Sequence, residues 1–499
     1  MKFLCDLPVL ILGLGESGLA MARWCARNGA RVRVWDSREN APQRDALGDA
    51  GSFFSSGVLD ASALGDARLI LKSPGLAPGD ARIAKLIESA ARAGVAVHGE
   101  LDLFTRALAD LRESKHHAPQ LVAITGTNGK TTTTALTALL IESAGRRVLS
   151  AGNIGPTLLG TLADALDADD LPDVWVLELS SFQLHDSHEV FEPDAAAVLN
   201  VTQDHLDWHG SMPAYAAAKA RIFGSRATMI VNRDDPVVAA MVPAEPVVKP
   251  RARGKKPPPR GVIGFSLDAP QRPGDFGLVV EAGMAWLVRA LPKDGDELHL
   301  QRLMPADALR IRGRHNAANA LAALALATAI GCPLAPMLHG LREYHGEPHR
   351  VEFVASVGGV EAFDDSKGTN VGATVAALDG LGADRSPSKL VVILGGDGKG
   401  QDFTPLAPPL ARHARAVATI GRDAAAIEQA LAATGVPLQR HATLQAATRW
   451  CFERAHAGDA VLLSPACASL DMFRNYAHRA AVFVDEVHAI VADRGGVAA

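Results

Sequence analysis

The chain is 499 residues long, too long for one hydrophobic core and of a length that suits about three domains. Hydrophobic residues make up 48% and charged residues 21%, which excludes fibrous and disordered classes, and a net charge of −5 gives no general affinity for nucleic acid. The five cysteines, Cys5, Cys25, Cys332, Cys451 and Cys467, are odd in number and far apart, so reduced thiols are expected in place of a zinc or disulfide framework.

The first apolar run, Leu7 to Leu14, is broken by Gly13 and Gly15 and lacks a small-residue cleavage site. It reads as a strand, and no run is long enough to span a bilayer, so a cytoplasmic protein without membrane insertion is expected. The strand leads into Gly13-Leu-Gly15-Glu-Ser-Gly18 and a helical pattern from Leu19 to Asn28, the context in which G-x-G-x-x-G binds a diphosphate at a helix N-terminus. The next strand, Arg31 to Trp35, ends in Asp36, where an NAD site carries its ribose-binding acid. A third strand, Arg68 to Lys72, runs into Ser73-Pro74-Gly75, and no hydride-transfer site follows. The motif therefore specifies a diphosphate and leaves its owner open.

After a polar link comes Leu121-Val-Ala-Ile-Thr-Gly126-Thr-Asn-Gly129-Lys130-Thr131, a strand, a glycine turn and a helix start. Backbone N–H groups of such a turn suit a polyphosphate, Lys130 can reach its end and the Thr131 hydroxyl can hold Mg²⁺. The two glycines are separated by two residues where the common phosphate loop has four. Further strands at 147–150, 174–178, 195–200 and 228–232 predict a mostly parallel sheet covered by helices. Polar residues at its carboxyl edge carry functional weight: Asn153, Glu178 and His205, of which the acid and the imidazole can join Thr131 as metal ligands. Lys219 reads by spacing as an ordinary helical lysine. Residues 249–260 hold six basic residues and four prolines and read as a solvated connector. Beyond Arg314, alanine-rich helices alternate with strands at 360–363, 389–394, 416–420 and 460–463, a second Rossmann-like pattern with Asp365, Lys367, Thr369, Lys399 and Ser464 at strand ends.

In this order, Gly126-Thr-Asn-Gly-Lys-Thr131, Glu178-Leu-Ser-Ser-Phe-Gln183, Asn200-Val-Thr-Gln-Asp-His205, Arg314-His-Asn-Ala-Ala-Asn319, Asp365-Ser-Lys-Gly-Thr-Asn370 and Leu394-Gly-Gly-Asp-Gly-Lys399 resemble the Mur ligase family of ATP-dependent amino-acid ligases. The resemblance runs from the first strand to the last, and Ser73-Pro-Gly75 and Leu463 to Asp471 are most similar to its D-glutamate-adding branch. It implies an α/β protein of three domains: a Rossmann-like N-terminal domain (1–110) for the UDP-linked substrate, a central P-loop ATPase-like parallel-sheet domain (111–341), and a Rossmann-like C-terminal domain (342–499) for the amino acid.

The resemblance also implies the ligands and their residues. Gly126, Thr127, Asn128, Gly129, Lys130, Thr131 and Thr132 would hold the ATP phosphates, with Asn316 and Asn319 at adenine and Arg350 and Asp365 as further ATP contacts. Two Mg²⁺ ions would be bound, one by Thr131 and Glu178, the other by His205 and a Lys219 carbamylated by CO₂; Lys130, His205 and Lys219 are the catalytic set. UDP-N-acetylmuramoyl-L-alanine would meet Leu14, Glu16, Ser17, Asp36, Ser37, Arg38, Ser73, Gly75, Asn153 and His205. D-Glutamate would meet Lys367, Thr369, Lys399, Ser469, Leu470 and Tyr476. Two positions depart from that branch, Tyr476 where Phe is common and Gly368 where Ala is common. A monomer whose domains close by hinge motion is expected. A folate-type ligase would need no uridine domain, a dehydrogenase would leave the phosphate turn idle, and a non-catalytic nucleotide-binding module would leave Glu178, His205 and Lys219 without a purpose.

Overall fold

The computed structural model describes residues 2–50, 53–77, 79–243, 260–293, 297–383, 387–494 and, as backbone, 496–498. Its first sheet contains β1 (Pro8–Leu12), β2 (Arg31–Asp36), β3 (Phe53–Ser56), β4 (Leu69–Lys72) and β5 (Ala96–His98), all parallel, in the order β3-β2-β1-β4-β5. β1 and β4 are central and almost wholly buried, which is why both are unbroken apolar runs. The order reverses between them, so a crevice opens at their carboxyl ends. The strand counted third in the sequence is the fourth, because Phe53-Phe-Ser-Ser56 pairs as a short, half-exposed edge strand.

The second sheet holds β6 (Gln120–Thr125), β7 (Val148–Gly152), β8 (Val174–Glu178), β9 (Ala195–Val198), β10 (Thr228–Asn232), β11 (Val262–Phe265), β12 (Phe276–Glu281), β13 (Met284–Pro292) and β14 (Leu298–Pro305), in the order β14-β13-β12-β11-β10-β9-β6-β8-β7. It is parallel from β7 through β12 and antiparallel from β12 to β14. Helices Lys130–Ser143 and Arg314–Ala329 pack on one face. The second is buried almost all round between Asn316 and Ala327, which explains its run of alanine and leucine with no polar stripe. Of the connector at 249–260, residues 249–259 lie outside the described residues; Arg260 Nε donates to the carbonyl of Ala227 at 2.9 Å.

The third sheet contains β15 (Glu352–Val357), β16 (Val360–Asp364), β17 (Leu390–Gly395), β18 (Ala414–Ile420), β19 (Leu438–Arg440), β20 (Ala460–Leu463) and β21 (Gly496–Ala498), in the order β19-β18-β17-β20-β16-β15-β21. It is parallel except at β15, which runs against both β16 and β21. Among the described residues no helix is long and apolar enough to cross a membrane.

The first and second domains share an apolar core, with Phe104 against Trp175, and buried polar groups cross the same junction. Glu100, 2% exposed, accepts the Leu159 N–H at 2.9 Å from the first turn of helix Leu158–Asp167. Burial raises its carboxyl from an ordinary 4.5 to about 7, against hydrogen bonds from Leu159, Ser17 and Leu158. A raised folded-state pKa means that the native protein binds this proton more tightly than the unfolded chain. Its stability contribution is therefore full below pH 4.5 and is lost as pH rises through 7. Glu100→Gln, which mimics the protonated acid, is expected to match the unmodified protein near pH 4.5 and to exceed it by about 3 kcal/mol at pH 8. Chemical unfolding at the two pH values checks this, and equal midpoints at pH 8 would count against it.

Candidate functional site

The turn 126–131 joins the carboxyl end of β6 to helix Lys130–Ser143. Gly129 caps the helix at φ +82°, and a Cβ there would lie 2.5 Å from Asn319 Oδ1, so both backbone conformation and space demand glycine. Asn200, at the end of the β9 segment, clamps the turn: its Oδ1 accepts the Asn128 N–H at 2.8 Å and its Nδ2 donates to the Asn128 carbonyl at 3.0 Å. Thr127 Oγ1 accepts the Thr202 N–H at 3.0 Å and lies 3.1 Å from the Tyr215 hydroxyl. Thr132 is buried. Asn319 Oδ1 accepts the Thr133 hydroxyl at 3.3 Å, Asn319 Nδ2 donates to Asn316 Oδ1 at 3.2 Å, and Asn316 in turn donates to the Arg312 carbonyl at 2.8 Å.

Two ammonium groups converge on one carbonyl of this turn. Lys130 Nζ donates to Gly126 O and Thr127 O, both at 2.9 Å, and Lys219 Nζ donates to Gly126 O at 2.8 Å. Lys219 is 1% exposed and lies 4.5 Å from the centre of the Tyr215 ring. Burial, then the charge of Lys130, push its pKa far below the usual lysine value, with Asp204 pulling the other way. Lys130 is also lowered by burial, opposed by Glu178. The helical spacing that made Lys219 look solvent-facing carried no trace of this, because burial comes from the turn of another element.

Glu178 ends β8 beside the turn, 3% exposed, and its Oε1 accepts Asn153 Nδ2 at 2.9 Å. His205 occupies the left-handed region (φ 54°), with its ring edge-on to Phe182 at 4.7 Å and Nε2 3.6 Å from Asp204. Burial lowers its pKa, against Asp204. Glu178 thus ends β8, and Asn153 and His205 follow β7 and β9, on the carboxyl edge of the sheet on either side of the turn that follows β6.

The third domain reaches the same turn. Arg350 Nη2 donates to Thr131 Oγ1 at 2.8 Å, and its Nε is buried with no acceptor among the described residues. Asn370 and Asn128 exchange side-chain hydrogen bonds at 3.1 and 3.3 Å, and Asn370 also reaches Asp204 at 3.4 Å. A cavity of about 1090 Å³ lies behind this contact, lined by Arg312, Asn316 and Arg350 among others. Asp365, buried, accepts the Ser464 hydroxyl at 2.6 Å, and burial raises its carboxyl to about 7. A Cβ on Gly368 would come within 2.6 Å of Asp365 Oδ2 and 3.1 Å of Ser464 Oγ, so alanine there requires that pair to shift.

A cavity of about 600 Å³ opens at the carboxyl ends of β1, β2 and β4, lined by Glu16, Ser17, Asp36, Ser37, Arg38, Ser73 and Gly75. Leu14 is not on it: its side chain is fully buried in the core, and its N–H is spent on Asp36 Oδ2 at 2.8 Å. Asp36 also accepts Arg38 N, Nε and Nη2, each at 2.9 Å. Burial would raise its pKa, but these bonds from Arg38 and Leu14 bring it down to about 2. Arg82, which carries no sequence motif, also lines the cavity and donates to Ser37 Oγ at 3.0 Å.

At the carboxyl edge of the third sheet, Lys367 Nζ donates to the Tyr476 hydroxyl at 3.0 Å, so the extra oxygen on this ring has a partner. Thr369 is half-buried, Ser469 buried, and Lys399 and Leu470 exposed. Paired backbone bonds between Asp397 and Ala468 at 2.9 and 3.0 Å set the Lys399 turn against the Ser469 turn. Arg479, fully buried, donates to Ser366 Oγ, Ser366 O and Cys467 O at 2.8–3.0 Å and so ties two loops to the helix Tyr476–Arg494; a lone helical arginine gave no sequence signal of it.

The three sheets, the phosphate turn and the uninterrupted motif order define a class. Residues 8–99 match the Mur ligase MurD-like N-terminal domain, 124–327 the Mur ligase middle domain and 349–467 the Mur ligase glutamate ligase domain: the chain belongs to the Mur ligase family. It is 58% identical, over 99% of its length and 98% of the relative's, to the UDP-N-acetylmuramoylalanine--D-glutamate ligase of Albidiferax ferrireducens, and 56% identical, over 98% of both chains, to the protein of the same name in Burkholderia mallei. The fold is shared with the UDP-N-acetylmuramate-alanine ligase of Thermotoga maritima (TM-score 0.56, 19% identity, 97% of this chain and 99% of that one). It is shared also with the MurF ligase of the same organism, solved with ADP (TM-score 0.59, 16% identity, 99% and 100%).

Arg350 and Asn370 are the polar hooks that hold the third domain on the phosphate turn. A hydrogen bond contributes about 0.5–1.5 kcal/mol between neutral groups and about 1.5–3 kcal/mol when one is charged, so Arg350→Ala with Asn370→Ala is expected to open the ligand-free molecule. Small-angle scattering would show a larger radius of gyration, and an unchanged profile would remove these contacts as the cause of closure.

Proposed function

We propose that this chain is an ATP-dependent ligase that joins D-glutamate to UDP-N-acetylmuramoyl-L-alanine in peptidoglycan precursor synthesis, releasing ADP and phosphate. The observation that carries the reading is the 58% identity, spread over all three domains, to a relative named for that activity. In this reading residues 1–110 hold the UDP end, 111–341 hold ATP and 342–499 hold the amino acid. The enzyme acts as a cytoplasmic monomer with no nucleic-acid or membrane partner.

The phosphate turn and Lys130 bind the ATP polyphosphate, Asn316 and Asn319 face adenine, and Arg350 adds its free Nε–H and Asp365 its side chain. The donor carboxylate attacks the γ-phosphate in line, ADP leaves, and an acyl phosphate forms. Positioning and neutralisation of the spreading negative charge, by Lys130 and Arg350, do most of the catalytic work in such a transfer. Lys367, Thr369, Lys399, Ser469, Leu470 and Tyr476 hold D-glutamate, whose two carboxylates suit ammonium and hydroxyl donors. Its free amine attacks the acyl carbonyl, and phosphate departs to leave the amide.

The hydroxyl of Thr131, the carboxylate of Glu178 and the imidazole of His205 are donors that suit Mg²⁺ or, for the imidazole, a softer divalent ion. An unmodified Lys219 is not. A buried lysine kept neutral is the form that adds to CO₂, and loss of a proton then leaves a carbamate anion that can serve as the missing oxygen ligand. Thr131 and Glu178 would hold one ion, His205 and carbamylated Lys219 a second. When bound, the ions neutralise phosphoryl oxygens.

Phosphate release from ATP, followed with UDP-N-acetylmuramoyl-L-alanine and one amino acid at a time, tests the assignment. Release is expected with D-glutamate, and release only with another acceptor would sink it. Lys219→Ala is expected to lower kcat by at least about a hundredfold, in the range seen when one charge-stabilising group is lost. A ¹³C-bicarbonate-derived carbamate signal should be present in the unmodified protein and absent from the variant; full activity in Lys219→Ala would exclude the carbamate role.

A further inference from the structure

We infer that Lys72 and Asp186 form a positioning strut that sets the distance from the first-domain cavity to the phosphate turn, and so delivers the donor carboxylate to the γ-phosphate. Lys72 is the last residue of β4 and is 5% exposed. Its Nζ donates at 2.5 Å to Leu76 O of its own domain and at 2.5 Å to Asp186 Oδ2 of the middle domain. It also lies 5.7 Å from the centre of the Trp208 ring. One ammonium group therefore joins two domains.

Both ends of this link lead directly into the site. On the first-domain side, Leu76 closes the tight turn Ser73-Pro-Gly-Leu76, with its N–H on Ser73 O at 3.1 Å; all four residues line the 600 Å³ cavity, and Ser73 Oγ donates to Gly13 O at 2.9 Å. On the other side, Asp186 ends the short helix Ser181–Asp186, whose cap, Ser180, is two residues after Glu178. Trp208 follows His205 by three residues, and Phe182 touches both Trp208 and His205 at 4.7 Å between ring centres. Asp186 Oδ1 is occupied by His185 Nδ1 at 3.2 Å.

A buried ion pair is a weak source of stability, because desolvating both charges offsets their attraction, and apolar replacement is often no less stable. Its directional bonds do fix registry between the groups that it joins. Registry is what this interface needs. The donor would be gripped at its UDP end in one domain and react at its other end in the next, and a misplacement of about 1 Å at the reacting atoms costs on the order of a hundredfold in rate. The two bonds from the Lys72 ammonium, one to the Leu76 carbonyl and one to the Asp186 carboxylate, hold the helix Ser181–Asp186 against the Ser73–Leu76 turn.

This inference rests on the proposed ligase function, and one set of assays separates the two. Lys72→Met, Asp186→Asn and the apolar pair Lys72→Met/Asp186→Leu would be compared in full-length enzyme with UDP-N-acetylmuramoyl-L-alanine, ATP and D-glutamate. Each variant is expected to lose about ten- to a hundredfold in kcat/KM for the donor. The pair should lose no more than the worse single variant, since the two residues act through each other. KM for ATP and the affinity for uridine diphosphate, which needs only the first-domain cavity, should stay within about twofold. Unchanged donor kinetics, losses that multiply in the pair, or a parallel fall in uridine diphosphate binding would overturn the strut. The apolar pair keeps the test open where a single variant leaves an unpaired charge and fails to fold. Absence of phosphate release by the unmodified enzyme would instead overturn the ligase reading.

Discussion

The carbonyl of Gly126 accepts from Lys130 and Lys219 together, and the rest of the site is arranged around that crowding. Two ammonium ions cannot share one buried acceptor cheaply. Burial, and then the charge of Lys130, disfavour the charged form of Lys219. The turn remains electropositive through Lys130, its helix N-terminus and the Arg350 guanidinium above Thr131, a concentration of positive charge that suits a polyphosphate. Glu178, at the end of the adjacent strand, moderates Lys130.

Around this centre the first and middle domains share one apolar core, in which Phe104 meets Trp175, and polar contacts add direction to the joints among all three domains. Glu100 against Leu159, Lys72 against Asp186, Arg350 against Thr131 and Asn370 against Asn128 are directional bonds that fix angles between domains. The contacts of Arg350 and Asn370 suit an interface that must form and release during a reaction cycle, whereas that of Lys72 fixes registry. Glu100 shows the cost, a carboxyl whose proton is held to about pH 7 because burial opposes its charge.

Particular residues show where the sequence was legible. The segments β6, β8, β9 and β10 and the turn at 126–131 were readable because buried parallel strands are unbroken apolar runs and their ends are polar. The antiparallel extension β12 to β14 was not, since its half-exposed strands lack such a run. Asp36 carried the sequence mark of an NAD site. Arg38, two residues on, and the N–H of Leu14 occupy both its oxygens, a competition that no spacing rule contains. Leu14, expected at the UDP-linked substrate, faces the core. Lys72 reads only as a lysine at a strand end and Arg479 as an arginine in a helix, because one partner of each, Asp186 and Ser366, lies more than a hundred residues away in the chain.

The sequence by itself determined the fold class, the three-part order, the phosphate turn and the family, because glycine spacing, apolar runs and strand-end polar residues are local demands of the backbone written in contiguous residues. Only the tertiary structure decided which lysine is buried beside which, that Asp36 is already paired, that Tyr476 takes its bond from Lys367, and that Lys72 links two domains. Those properties depend on distances across the chain and on exclusion of water, and both arise only when separate elements pack.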